Sequence, residues 1–458
     1  MADEIEVARA TCKKGPIVVS TRQRERQRRG LMVAATMAMA AVLVACTSAT
    51  SASTGSATTN SSRPPTSSTG SSLSADVVTP DAPVPAQYQS LYSGLSAQLD
   101  GYQAAVTAMP SLDMRGSPPL VAGVELLEAN ANRGSALFNP GVLSDVSRDI
   151  DHFKAMGIAG LTLGIKLPYL LSSYTGADAA RYLSFYEDVA SMIRAQGMTI
   201  DVELSAAFCG TAYNSCSYKF PDTVAGFAAI TAQQARIVIQ NIHPNYLTLI
   251  SEDTTDAALT KDPTLDTVAG ATQFVSTTLQ AIGPHPGVAV GAGAATWQPP
   301  AFNQALLKLP IDYLDLHIYP IGPTEVANLV TDSEMARAAH IPLVADEAWL
   351  FKTLTPTVDP AGTAVYRLDN FSFFSPLDAR FAAITQEWAR KAGVTYDSAF
   401  WSWQMFGYVT WTPALDTASY PQLSSTSDLA AIQAMVAGEV TPAGHAWATP
   451  PPPSPGSR

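Results

Sequence analysis

From position 119 onward, short apolar runs rich in β-branched residues alternate with longer stretches whose apolar positions recur every three or four residues. The short runs occupy 120–127, 160–166, 199–204, 246–251, 287–293, 313–319, 342–347 and 399–406. Each is six to eight residues long and largely apolar, the pattern of a strand covered on both faces. Helical periodicity fills the intervals at 143–157, 178–197, 227–242 and 379–393, and several of these stretches stop at a glycine, as helix C-termini favour. A further helical stretch, 427–438, follows the eighth run, and another, 86–109, precedes the first. Strands alternating with helices predict a parallel sheet. Eight such units over roughly 370 residues predict closure into a single α/β domain, a (β/α)8 TIM barrel spanning 79–448 with enlarged loops. An open doubly wound sheet is disfavoured, because no GxGxxG follows the first run and no GxxxxGK[ST] occurs.

The first 78 residues follow a different pattern. A basic stretch at 21–30 leads into the 15-residue apolar run 31–45 and then Cys46. The run is short for a bilayer span and has the form of a signal-peptide core. Leu43-Val44-Ala45-Cys46 resembles a bacterial lipobox. That resemblance implies removal of 1–45, lipidation of Cys46, and an exported chain anchored through its lipid to the outer face of the bacterial membrane, at the cell surface or facing the periplasm. Residues 47–75 hold 18 Ser or Thr in 29 positions, too little apolar surface to offset ordering entropy. The segment 46–78 therefore reads as a flexible tether, and the Pro-rich tail 449–458 as similarly structureless. Export also favours pairing of Cys209 with Cys216, seven residues apart in a Gly/Asn/Ser-rich stretch.

Charge narrows the partners. The whole chain has net charge −12; without 1–45 it keeps 19 basic and 35 acidic residues, a net of −16. Such a chain repels phosphate backbones, so no nucleic-acid partner is expected. No CxxC or Cys/His spacing marks a zinc site, no metal or other cofactor is called for, and the absence of GxSxG argues against a serine hydrolase.

Chemistry in a barrel gathers at the C-terminal strand ends. There the sequence places Ser251-Glu252-Asp253 after the fourth run, His317-Ile318-Tyr319 on the sixth, Asp346-Glu347-Ala348-Trp349 on the seventh, and Trp401-Ser402-Trp403 on the eighth. Strict alternation puts Glu347 on the face of Ala345 and Leu343, opposite Asp346. Two carboxylates with aromatic platforms outline glycoside hydrolysis: one group protonates the leaving oxygen, and the other attacks or stabilises the oxocarbenium-like centre. Apolar surroundings raise one pKa while the other group stays ionised.

These residues resemble the large clan of retaining glycoside hydrolases with a (β/α)8 barrel, over 119–438. The resemblance implies Glu252 as acid/base, Glu347 as nucleophile, Tyr319 as hydrogen-bond donor to the nucleophile with His317 beside it, and Trp403 or Trp401 beneath the sugar. It implies a carbohydrate substrate with β-linkages, an oligo- or polysaccharide. Two departures stand out. The clan has Asn before the acid/base, where Ser251 stands here, and this leaves room for an alternative, a catalytically inactive carbohydrate-binding barrel. The clan's arginine near the end of strand one or two is not evident. Lys166, on the face of Gly164, is expected to supply the charge that keeps Glu347 ionised. Glu203, Asp201, Glu125 and Glu128 are candidates for sugar hydroxyls; Trp349, Trp297, Tyr408 and Trp411 are candidate sugar platforms. The loop 350–376 is expected to wall the cleft.

Overall fold

A computed structural model describes residues 82–110, 119–211, 214–355 and 364–448. The leader, Cys46, the tether and the Pro-rich tail lie outside the described residues. Eight parallel strands close into a barrel in sequential order: β1 (Val121–Glu125), β2 (Gly160–Gly164), β3 (Thr199–Glu203), β4 (Tyr246–Thr248), β5 (Ala289–Gly293), β6 (Tyr313–Ile318), β7 (Leu343–Ala348) and β8 (Val394–Ala399). The principal helices are α1 (Gln89–Ala108), α2 (Val142–Met156), α3 (Asp178–Ala195), α4 (Val224–Asn241), α5 (Val268–Ile282), α6 (Ala301–Leu306), α7 (Pro323–Ala339), α8 (Ser375–Ala392), α9 (Tyr420–Ala437) and α10 (Pro442–Ala448). The glycine stops hold physically: Gly157 and Gly393 end α2 and α8 with φ of 99° and 77°, in the left-handed region that a Cβ disfavours.

The main hydrophobic core lies between sheet and helices. Leu161, Leu163, Val202, Leu247, Leu314 and Ala345 face outward against Ile150, Phe153, Val189, Phe227, Phe274 and Trp388, all buried. At about 1.5–3 kcal/mol for each large apolar side chain, this layer supplies the main driving force for closure. Helix α1 packs on the outside through contacts with α8, where Arg380 reaches Asp100 at 2.5 Å and Gln103 reaches Glu387 at 2.9 Å.

The barrel interior is built differently. Tyr246, Tyr313 and Tyr396 form a ring layer with Val121, Ala289 and Val344. Small residues make room for it: a Cβ on Gly123 or Gly291 would fall 2.4 Å from the hydroxyl of Tyr396 or 2.2 Å from the ring of Tyr313. Above this layer hydroxyls pair with one another. Thr162 lies 2.9 Å from both Tyr396 and Ser398, and Thr248 lies 2.8 Å from Tyr313.

The eighth strand is the main correction to the sequence pattern. It runs Val394–Ala399 instead of 399–406. Its polar residues concealed it: Ser398 accepts from Thr162 inside the barrel, while Asp397 accepts from Gln386 of α8 at 2.9 Å. The aromatic run mistaken for the strand is the loop beyond it, including the short 3-10 turn Ser402–Met405. Strand β4 is also shorter than expected, although Leu249 and Ile250 still bond to Gly291 and Gly293 and carry the chain to the barrel mouth.

Candidate active site

A cavity of about 350 Å³ opens at the C-terminal strand ends. Glu252 and Glu347 both line it. Glu252 leaves the end of β4 as the residue preceding the helix Asp253–Thr260, and its Oε2 accepts from Thr255 at 2.5 Å. Glu347 reaches the cavity through an irregularity. Leu343 and Ala345 face the outer core and Val344 the inner ring layer, while Asp346 bonds to His317 inside the barrel. Strict alternation would turn Glu347 outward with Ala345. The pairing register shifts between Asp315 and His317 on β6, and between Ala345 and Ala348 against β8. A bulge of this kind re-aims the next side chain, so both Asp346 and Glu347 serve the site.

One tyrosine connects the two glutamates. The Tyr319 hydroxyl is 2.6 Å from Glu252 Oε1 and also contacts Glu347 Oε1. Two hydrogen-bond lengths bound the gap, so the nearest carboxylate oxygens are no more than about 6 Å apart. His317 sits beneath, with Nδ1 2.9 Å from Glu252 and Nε2 2.7 Å from Asp346. Two carboxylates on one ring call for the doubly protonated imidazolium. Burial alone would lower the His317 pKa; the charge and hydrogen bond of Asp346, joined by Glu252, overcome this and raise it well above its ordinary value.

The electrostatics of the two glutamates are unequal. Burial pushes the Glu252 pKa up, but the His317 imidazolium and hydrogen bonds from His317, Thr255 and Tyr319 outweigh it and the net shift is downward. Glu347 is driven well above the ordinary carboxylate range by burial, then by Glu203 and Glu252, against His317 and Lys166. The surroundings thus favour the protonated form of Glu347 and the ionised form of Glu252. Lys166 pulls Glu347 toward ionisation, as expected, but its ammonium lies 2.5 Å from Glu203, and burial together with Glu203 and Glu252 outweighs that pull.

Around the glutamates the wall has two characters. Asn130, Asn132, Arg133, Lys166, Glu203 and Ser205 come from the ends of β1 to β3. Trp349, Tyr366, Phe400 and Trp401 come from β7 and β8, and Tyr420, Pro421, Ser424 and Ser425 of α9 line the same cavity. Trp349 packs against Tyr319, Phe351, Tyr366 and Trp401 in one aromatic cluster. Phe208 joins the wall from the β3 loop, next to the disulfide that links Cys209 to Cys216, and its backbone N–H donates to Asn132 at 3.0 Å.

Several expected residues lie elsewhere. Of the two strand-eight tryptophans, Trp401 lines the cavity; Trp403 does not, because the turn Ser402–Met405 carries it away toward Asp149. Ser251 is buried beside Asp315 and outside the cavity wall. Asp201 lies inside the barrel, Glu125 is held beneath the cavity by Asn130 at 2.9 Å, and Glu128 pairs with Arg133. Trp297 stacks on Tyr319 from outside the wall, and Tyr408 donates to Asp378 at 3.2 Å, behind it. Trp411 packs against the core, outside the cavity wall. The loop after β7 contributes Tyr366 to the wall and is pinned by buried Lys352, which pairs with Asp369 and Asp378. Sequence reasoning missed Asn130, Asn132 and Arg133, although the polar run directly after β1 was the available signal. Arg133 is an arginine shortly after β1, and its guanidinium pairs with Glu128. Nothing in the α9 periodicity marked its first turn as part of a site.

Two trios among the described residues bring possible metal-ligand atoms within 4.8 Å of one another: Glu203, His317 and Glu347, and Asp315, His317 and Asp346. Both rely on His317, whose two nitrogens are already committed to Glu252 and Asp346. Neither nitrogen offers a lone pair to an ion, so the trios do not fit a metal.

The sequence matches no model of a known protein family and no curated protein. Among solved structures, an exo-β-1,4-mannosidase from Opitutaceae bacterium strain TAV5 is 15% identical with a TM-score of 0.47, covering 74% of this chain. This chain spans 60% of the length of that mannosidase. A family 1 β-glucosidase from Thermotoga maritima is 10% identical with a TM-score of 0.40, covering 62% of this chain and 89% of its own. A GH5 xyloglucan-specific β-1,4-glucanase from a ruminal metagenomic library is 12% identical with a TM-score of 0.40, covering 74% and 96%.

Proposed function

We propose that this chain is a glycoside hydrolase that cleaves β-glycosidic bonds of an oligo- or polysaccharide by retaining double displacement. The observation that carries the reading is the shared contact of Glu252 and Glu347 with the Tyr319 hydroxyl. It holds their nearest oxygens no more than about 6 Å apart, a bound that admits the roughly 5–5.5 Å of retaining sites and falls short of the roughly 6.5–9.5 Å of inverting ones. Glu347 attacks the anomeric carbon while Glu252 donates a proton to the departing oxygen, leaving a glycosyl ester on Glu347. Water then attacks that carbon, Glu252 takes the water's proton, and the bond to Glu347 breaks.

These two shifts run opposite to the roles of the first step. Positive charge developing at the anomeric carbon favours ionised Glu347, and the Tyr319 hydroxyl touching both groups gives the proton a path to Glu252. Aromatic faces of Trp349 and Trp401 suit the C–H faces of a pyranose, and Asn130, Asn132 and Glu203 suit its hydroxyls. Glu347→Ala should lower turnover of aryl β-glycosides at least about a thousandfold, with activity restored by azide as external nucleophile. Unchanged turnover in that variant would sink the reading.

The upward pKa shift of Glu347, together with Ser251 in place of Asn, favours the second reading, a barrel that binds β-glycans without turnover. Retained glycan binding with no hydrolysis by the wild-type chain selects it. We also infer export and lipid anchoring from the Leu43–Cys46 tetrapeptide. Incorporation of labelled fatty acid should disappear in Cys46→Ala; equal labelling of the variant contradicts the anchor.

A further inference from the structure

We infer that the enzyme is exo-acting and takes a single uncharged sugar unit from the non-reducing end of its substrate. This rests on the glycosidase reading above and specifies its substrate. The cavity is small, about 350 Å³, at the low end of the roughly 300–1,000 Å³ of pockets that enclose one small molecule. An endo-acting groove must stay open at both ends to admit an internal stretch of polymer. Here the wall is contributed by the ends of every strand except β5, and helix α9 adds its first turns to it.

The direction of the substrate follows from the acid. The general acid stands on the leaving-group side of the scissile bond, which is the β4 side for Glu252. The leaving group therefore departs past the end of β5, which among the described residues contributes no side chain to the wall. The retained sugar lies on the opposite side, between the polar ends of β1 to β3 and the α9 segment that carries Tyr420 and Ser424. Among the described residues, Tyr420, Pro421, Ser424 and Ser425 bound the cavity at that end, so the retained sugar is the terminal unit.

Charge selects a neutral sugar. The two wall cations are already neutralised, Lys166 by Glu203 at 2.5 Å and Arg133 by Glu128. With Glu252 and Glu347 also in the wall, a uronate carboxylate would meet carboxylates and, among the described wall residues, no cation that is not already paired.

The test uses the full chain with neutral β-linked tetra- and hexasaccharides of the gluco, manno, galacto and xylo series, each tagged at its reducing end. 4-Nitrophenyl β-glucuronide is compared with the matching neutral glycosides. The expected early products are free monosaccharide and a tagged chain one unit shorter, with the glucuronide cleaved at least roughly tenfold more slowly than the best neutral glycoside. Tagged fragments of several lengths from the first time points overturn exo action, and equal cleavage of the glucuronide overturns the neutral-sugar assignment. Hydrolysis of nothing in the panel overturns the glycosidase reading itself. Ser424→Trp, which fills the roofed end, should raise KM roughly tenfold or more while leaving the folded state intact. A folded Ser424→Trp with unchanged KM and products also overturns the inference.

Discussion

The two layers of packing that meet at the barrel wall differ in kind. Outside, Leu, Val, Phe and Trp side chains fill most of the space between strands and helices, with a few buried polar pairs such as Gln386 with Asp397 among them. Inside, tyrosines, threonines and carboxylic acids fill the barrel, with Asp201, Asp315 and Asp346 fully buried around His317. The outer layer is non-directional and tolerates any arrangement that removes apolar area from water. The inner layer is directional: each buried polar group needs a partner or a proton, and its charge state depends on its neighbours. Stability is thus concentrated in one layer and chemistry in the other, separated by the thickness of a strand.

Two substitutions would break that comparison if it is wrong. The larger effect belongs outside. Trp388 is fully buried and donates to Ser333 at 3.0 Å; Trp388→Ala should cost about 3–5 kcal/mol in denaturant unfolding, by the same amount at acid and at neutral pH. A loss below about 1 kcal/mol would show that the outer layer is not the main store of stability.

The smaller effect belongs inside and carries a sign. Burial first, offset by Lys166 and Asn130 and reinforced by Glu203, raises the Glu125 pKa to about 8 from 4.5. A folded-state pKa above the unfolded value means that the native state binds more protons between these two values. The contribution is fully present below about 4.5 and is lost as pH rises through about 8, so stability falls with pH across that window by at most about 1.4 kcal/mol per pH unit for this group. Asp256, at the mouth of the barrel and raised to about 7, acts in the same direction. Glu125→Gln keeps an acceptor for Asn130 and removes the ionisation. Its stability should match the wild type near the acid end of the window and exceed it near the basic end. Parallel melting curves across the window, or a wild type that gains stability with rising pH, would refute the assignment.

The same division explains what could be read in advance. Alternation of apolar strands with amphipathic helices is the outer layer written along the chain, and it identified seven of the eight strands near their places and the barrel itself. Strand β8 escaped because its side chains answer to Thr162 and Gln386 across the sheet and not to a hydrophobic rule. Glu252 and Glu347 were legible because strand ends carry chemistry in this architecture. The turning of Glu347 into the cavity was not, since it depends on register shifts against two neighbouring strands.

The order of local residues along the chain is enough to set periodicity, glycine stops and the positions of strand ends, because these depend on neighbours a few residues apart. Only the closed barrel decides which tryptophan faces the cavity, in which direction the pKa of each glutamate moves, and that α9 returns to wall the site. Those outcomes depend on charges and surfaces brought together from distant parts of the chain. Their energies are set by burial and separation in space, quantities that exist only once the fold has formed.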